Sequence, residues 1–399
     1  MRSQRGNNFA RVAASRRGFS TLELLVVAGV LVLLLAIAAT AVSGVVYSSQ
    51  RSLAENQLRA ALAATRDAAL ASRQGDVAAV FLFREGRIQI LPCIQVGTIE
   101  DIPMLWGGTE STTVAARAIE LFVPVDGARA VAMPRGWTVR GFAPAGSLHR
   151  ESSQAGTGTP VENGWYDWID TADQGGTLLN RGLWVFPETD FLPSDAQGVA
   201  DDNGTEGWRR QTFMVRFAAQ SGEAMIGDTR LALVVDPQEA EYRIDQALFQ
   251  DNDVLQGESL GQRVRKILLN TQLTDEQKRE LLGDRSTDTI LARGISEFAL
   301  ADERRLANAI GARALNRDTQ SLYRNPPRDA QDEESVPMDR AVLTGLGNPE
   351  EAAAIRRIAD YIGRRAGSGA GQLDEGTAFE AKVFTMSRYL GQIQEVVDR

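Results

Sequence analysis

Hydrophobic and polar positions fall into three successive patterns along the chain. The first is a nearly unbroken apolar run: residues 24–42 carry no charge. A 20-residue helix spans ~30 Å, the hydrocarbon thickness of a bilayer, so the run predicts a transmembrane helix. Helical spacing then continues past it. Leu53, Leu58, Ala61, Leu62, Thr65 and Ala69 recur at steps of three and four, with Arg51, Glu55, Arg59, Arg66 and Asp67 on the other faces. Gly75 is placed as the C-cap. One helix is therefore expected from Phe19 to Gln74, half in membrane and half outside it.

From Val77 the period becomes two. "VAAVFLF" (77–83), a "REG" turn and "RIQILPC" (87–93) predict a β-hairpin. Further strands are expected at 118–125, 137–142, 182–188, 210–219 and 229–237. All six Trp lie between Trp106 and Trp208, and with Pro237 this places a boundary near 237–240. Beyond it the pattern reads as helical. "QEAEYRIDQALFQ" and "LGQRVRKILLN" come first, then "TDEQKRELLG" with a capping box at Thr274 and Gln277. "TILARGISEFALADERRLANAIGARAL", a helix opened by Asn348 and Pro349, and a last helix over Phe379–Val397 follow. Residues 317–340 form a polar, Pro-broken linker. The expected fold class is α+β: a long N-terminal helix, half transmembrane, packed on an antiparallel sheet and followed by a mainly helical C-terminal domain. The expected units are 1–18, 19–75, 76–237 and 238–399.

Charge sharpens the N-terminal reading. Residues 1–18 hold five Arg and no acid, whereas the whole chain of 399 residues has a net charge of −9. Without those five, 38 basic side chains face 52 acidic ones, a balance of −14. A basic head, an apolar run and an acidic body predict a membrane-targeting signal with its Arg end cytoplasmic. The acidic body argues against non-specific nucleic-acid binding, which needs phosphate neutralisation. Only three residues are Lys (Lys266, Lys278, Lys382), so the Arg content reads as compositional bias and no individual Arg is assigned a role. The single Cys93 excludes an intrachain disulfide and reads as a core residue.

Glu23, placed at the head of the apolar run, calls for a partner, because a carboxylate at mid-membrane costs about 2.5–3.5 kcal/mol on insertion scales. The stretch "RRGFSTLEL", with its basic leader, Gly18, Phe19, Glu23 and some twenty apolar residues, resembles the cleavage and methylation signal of type IV prepilins and type II secretion pseudopilins. The resemblance covers about 30 residues and extends through the amphipathic half-helix to about residue 75; beyond that it is architectural. It implies that a prepilin peptidase cuts between Gly18 and Phe19 and methylates the Phe19 amine. It also implies that Glu23, fifth in the mature chain, pairs with the N-terminal amine of a neighbouring subunit. The buried carboxylate would then be offset by an ammonium supplied on assembly.

The implied function is that of a minor pilin or pseudopilin, non-enzymatic, joining or priming a type IV pilus or type II secretion pseudopilus. Its implied partners are the prepilin peptidase, other pilin or pseudopilin subunits and the inner membrane, with no nucleic acid. Its implied location is the inner membrane, single-pass, N-terminus cytoplasmic, with the body periplasmic or on a filament. The large tip pseudopilin of type II secretion carries a big addition too, but that family typically lacks the fifth-position glutamate that this chain keeps.

Other candidate chemistry is thin. Asp195, Asp201, Asp202 and Asn203 offer oxygen ligands of the kind calcium takes, but without EF-hand spacing the loop reads as solvated. The glycines of 367–372 lack the strand and the Lys-Ser/Thr of a phosphate loop. His149 has no nucleophile-elbow pattern near it. Trp165, Tyr166 and Trp168 form an aromatic group that fits either a binding face or a core cap; a pilin-borne adhesin or substrate-binding module is the alternative function, and an enzyme on a signal anchor a third. No catalytic residue and no cofactor are expected.

Overall fold

The computed structural model describes residues 20–84, 87–101, 117–144, 183–185, 187, 210–227, 230–235, 259–282, 289–310, 361–362, 381–389 and 391–396. The chain divides into two compact units, Met1–Ser52 and Leu53–Arg399. Helix α1 (Thr21–Ala71, 51 residues) supplies the first unit with its first half and belongs to the second with its other half.

In the second unit, α1 buries Ala54, Leu58, Ala61, Leu62, Thr65 and Ala69, one stripe at helical spacing. The buried Thr65 hydroxyl donates to the Ala61 carbonyl at 2.9 Å, so its burial leaves no polar atom unmet. Leu53, expected on this stripe, is half exposed, and Ala54 takes the inward position. The helix stops at Ser72. Its hydroxyl donates to Gly75 O at 2.6 Å and accepts from the Gly75 and Gln74 amides at 3.4 Å. Gly75 is not the cap. A Cβ there would lie 2.4 Å from the Gln95 carbonyl, so the residue serves close backbone approach.

The strands β1 (Val77–Arg84), β2 (Arg87–Asp101), β3 (Arg117–Pro124), β7 (Arg210–Phe217), β8 (Leu231–Val235) and β9 (Thr289–Gly294) close into a six-stranded barrel. Round the ring the order is β1-β7-β9-β8-β3-β2, and the expected β1–β2 hairpin completes it. Two pairings, β3–β8 and β7–β9, are parallel. A short β4 (Val131–Ala132) adds to β2 outside the ring. Alternation sorts the side chains. Val80, Leu91, Cys93, Phe122, Met214, Val234 and Ile290 meet in the interior, drawn from all six strands. On the outside, Ile119, Leu121, Val123, Leu233 and Leu291 pack against Val264 and Ile267 of α2 (Leu260–Leu269) and Leu282 of α3 (Asp275–Leu282). A register shift between Gln95 and Gly97 turns β2 so that Ile99 joins this outer face. Both helices start on capping boxes, Ser259–Gln262 and the expected Thr274–Gln277.

A second, five-stranded antiparallel sheet runs β12-β11-β10-β5-β6, from β5 (Trp137–Ala143), β6 (Leu183–Val185), β10 (Glu297–Asp302), β11 (Lys382–Met386) and β12 (Ile393–Glu395). Phenylalanines join it to the barrel: Phe81 lies 4.8 Å from Phe213 and 6.3 Å from Phe298, which stacks on Phe384 at 5.9 Å. A Cβ on Gly141 of β5 would sit 2.7 Å from Ile295 and 2.8 Å from the Phe213 ring, so glycine sets how closely the two sheets approach.

These features correct the expected fold class. Beyond α1 the described chain is mostly β, and its centre is a closed mixed barrel instead of an open antiparallel sheet under a long half-transmembrane helix. Among the described residues the C-terminal region is not mainly helical either, but mixes helices with four strands. "TILARGISEFALAD" forms β9 and β10, with only α4 (Glu303–Ile310) after them. The helix expected over Phe379–Val397 is the β11–β12 hairpin, turned at Gly391 with φ +56°. Ile290, Phe298, Val383, Phe384 and Thr385 favour strands, and pairing with distant partners overrides the local helical spacing. Among the described residues no helix is long and apolar enough to cross a membrane. The α1 sequence opens on Glu23 and turns polar and Arg-bearing after Tyr47. The expected transmembrane span and the single-pass inner-membrane location, cytoplasmic N-terminus and periplasmic body included, are withdrawn with it. The linker 317–340 lies outside the described residues, as does the helix at Asn348 apart from Tyr361 and Ile362.

Candidate functional site

The start of α1 is the one place where a residue singled out by the sequence can be followed. Ser20 N–H donates to Glu23 Oε2 at 2.9 Å, its hydroxyl reaches the same oxygen at 3.1 Å, and Glu23 N–H donates back to Ser20 Oγ at 3.2 Å. This is a reciprocal capping box. The hydrogen bonds from the Ser20 backbone and hydroxyl hold the Glu23 carboxyl below its ordinary value. The Ser-x-x-Glu spacing was present in the sequence and gives Glu23 a partner within its own chain. Gly18 and Phe19 lie outside the described residues.

Between Leu22 and Val46 the described large apolar side chains of α1 stand uncovered. Leu22 is 74% exposed, Leu25 73% and Val45 70%. Exposure of this kind, sustained along one helix, marks a surface built to be covered.

The body carries a second polar constellation at one end of the barrel. The fully buried Arg216 of β7 lies 2.7 Å from Glu120 Oε2 and 3.4 Å from Asp76 Oδ2. Arg230 pairs with the other Glu120 oxygen, and the Ala219 amide donates to Asp76 Oδ1 at 3.0 Å. The guanidinium sits 5.2 Å above the Phe122 ring. A buried Arg paired with two carboxylates and an aromatic face is a way to fill a barrel end without an unmet charge. Sequence reasoning missed Arg216 because it assigned no individual Arg a role. Its signal was an Arg two positions after Met214, on the inward phase of β7.

Cys93 lies in the barrel core, where burial pushes its thiol well above the ordinary range, so it is unreactive in the fold. Among the described residues, no group of three or more His, Cys, Asp or Glu is placed to hold a metal ion. Asp195, Asp201, Asp202 and Asn203 lie outside the described residues, as do His149, the Trp165–Trp168 group and the glycines of 367–372. No family model matches the chain, and neither the curated proteins nor the solved structures provide a match.

Proposed function

We propose that the protein is a non-enzymatic structural subunit of the pilin or pseudopilin kind, assembled into or priming a filament through α1. The observation that carries this reading is the exposed large apolar side chains between Leu22 and Leu35, and again at Val42, Val45 and Val46, on a single helix. Such a run needs cover, and helices of other subunits supply it by side-chain packing. The "RRGFSTLEL" resemblance supports it from the sequence side. Its partners in this reading are a prepilin peptidase acting between Gly18 and Phe19 and further pilin-like subunits. Glu23 then has two successive partners: Ser20 in the isolated chain and a neighbouring amine in the assembly.

Mass spectrometry of the N-terminus, on protein from cells with and without an active prepilin peptidase, tests the proposal. The expected mature chain begins at N-methyl-Phe19 and is lost without the peptidase. A chain still beginning at Met1 in both strains, or one cut elsewhere, overturns it.

A further inference from the structure

The second half of α1 is fastened by strands that follow it by more than 300 residues. Lys382 Nζ of β11 donates to Glu55 Oε2 at 2.8 Å, a contact across 327 positions, and to Glu395 Oε2 of β12 at 3.1 Å. Arg59 Nη1 donates to the Ile393 carbonyl at 3.2 Å, across 334 positions, while Nη2 holds Glu55 Oε1 at 2.8 Å. Its Cζ lies 5.7 Å from the centre of the Phe384 ring. Two turns further along, Gly391 comes so close to Arg66 that a Cβ would lie 2.7 Å from its Cδ. The hairpin thus meets α1 at Glu55, Arg59 and Arg66. Beneath it, Ala54, Ala61 and Ala69 bury a single methyl each, Leu58 and Leu62 are buried whole, and the Gln220 amide donates to the Ala69 carbonyl at 2.9 Å.

We propose that the β11–β12 hairpin is a strap, and that docking of Leu53–Ala71 on the body is conditional on it. A chain whose synthesis or folding stops short of residues 382–396 would hold the barrel and leave this half of α1 loose. The helix is made more than 300 residues before its fastening, so α1 is fixed only once the residues between have been produced. The strap concerns the polar half of α1 and stands whether or not the apolar half enters a filament.

The test is hydrogen exchange of the full chain in mild detergent, read by mass spectrometry, with labelling of the Cys93 thiol as an independent report on the barrel. In Lys382→Met and in Arg59→Met, amides of 53–71 should exchange about 5- to 30-fold faster, while Cys93 labelling stays at the unmutated rate. Lys382→Arg should restore slow exchange, since it keeps the charge between Glu55 and Glu395. Unchanged exchange at 53–71 in both Met variants overturns the proposal. So does an equal acceleration at 53–71 and at Cys93, which would make the helix part of one global unit without a strap.

Discussion

Replacing Arg216 by Met should cost the barrel about 3 kcal/mol, the lower part of the range for removing one partner of a buried ion pair. The structure sets that figure. The Arg216 side chain is wholly buried, and its closest partner, Glu120, is 11% exposed, so the carboxylate stays inside when the guanidinium goes. The figure is not higher because Arg230, itself half exposed, still holds the other Glu120 oxygen. Asp76 is more open and more distant at 3.4 Å, so Asp76→Asn should cost only about 1 kcal/mol. The decisive variant is the pair Arg216→Met with Glu120→Leu. It removes both buried charges and leaves apolar side chains beside Phe122, and it should recover at least half of the loss of the single change. Urea unfolding of the full chain in mild detergent reads these differences. The Cys93 labelling rate reads them a second way, and about 3 kcal/mol corresponds to roughly a hundredfold faster labelling. A loss below about 1 kcal/mol for Arg216→Met, or a double variant no better than the single one, would refute the claim that charge compensation holds this barrel end.

Gly141→Ala should destabilise by about 1–3 kcal/mol, because its methyl meets Ile295 and the Phe213 ring, and a Phe213→Leu second change should relieve part of it, as thermal unfolding would show. The strap should respond to pH on both sides. Burial alone would raise the Glu55 carboxyl, but hydrogen bonds from Lys382 and Arg59 outweigh it and hold the group below its ordinary value. Burial alone would lower the Lys382 ammonium, but its bonds to Glu55 and Glu395 hold it above. The Glu55 contribution is therefore complete above its unfolded value, about 4.3, and lost as acid protonates the folded group. The Lys382 contribution is complete below its unfolded value, about 10.4, and lost as alkali deprotonates the folded group. Protection of 53–71, corrected for intrinsic exchange, should be flat between those limits and fall beyond each. Ser20→Ala should return the Glu23 carboxyl towards its ordinary value and fray the first turn of α1, both readable by NMR titration of a labelled Glu23.

What was legible in the sequence was what neighbours decide. The β1–β2 hairpin, the Thr274–Gln277 cap and the inward stripe of Leu58, Leu62, Thr65 and Ala69 all rest on contacts a few residues apart. The Lys382–Met386 strand was read as helix because its partners, β10 and β12, are fixed by the folded sheet and not by spacing. Parallel pairing of β7 with β9 joins segments separated by a long stretch of chain, and no periodicity announces it. Glu23 shows the opposite fault: its local partner Ser20 was in plain view, and attention to a distant one hid it.

The Arg59–Ile393 hydrogen bond bears on how copies of this chain can meet. A closed barrel has no open edge, but a flat sheet ends in strands whose outward carbonyls and amides invite another strand to add on. At β12 that invitation is answered from within, since Arg59 occupies the outward Ile393 carbonyl. Strand addition at this border is therefore discouraged, and the same hydrogen bond that fastens α1 also guards the sheet's edge against amyloid-like stacking.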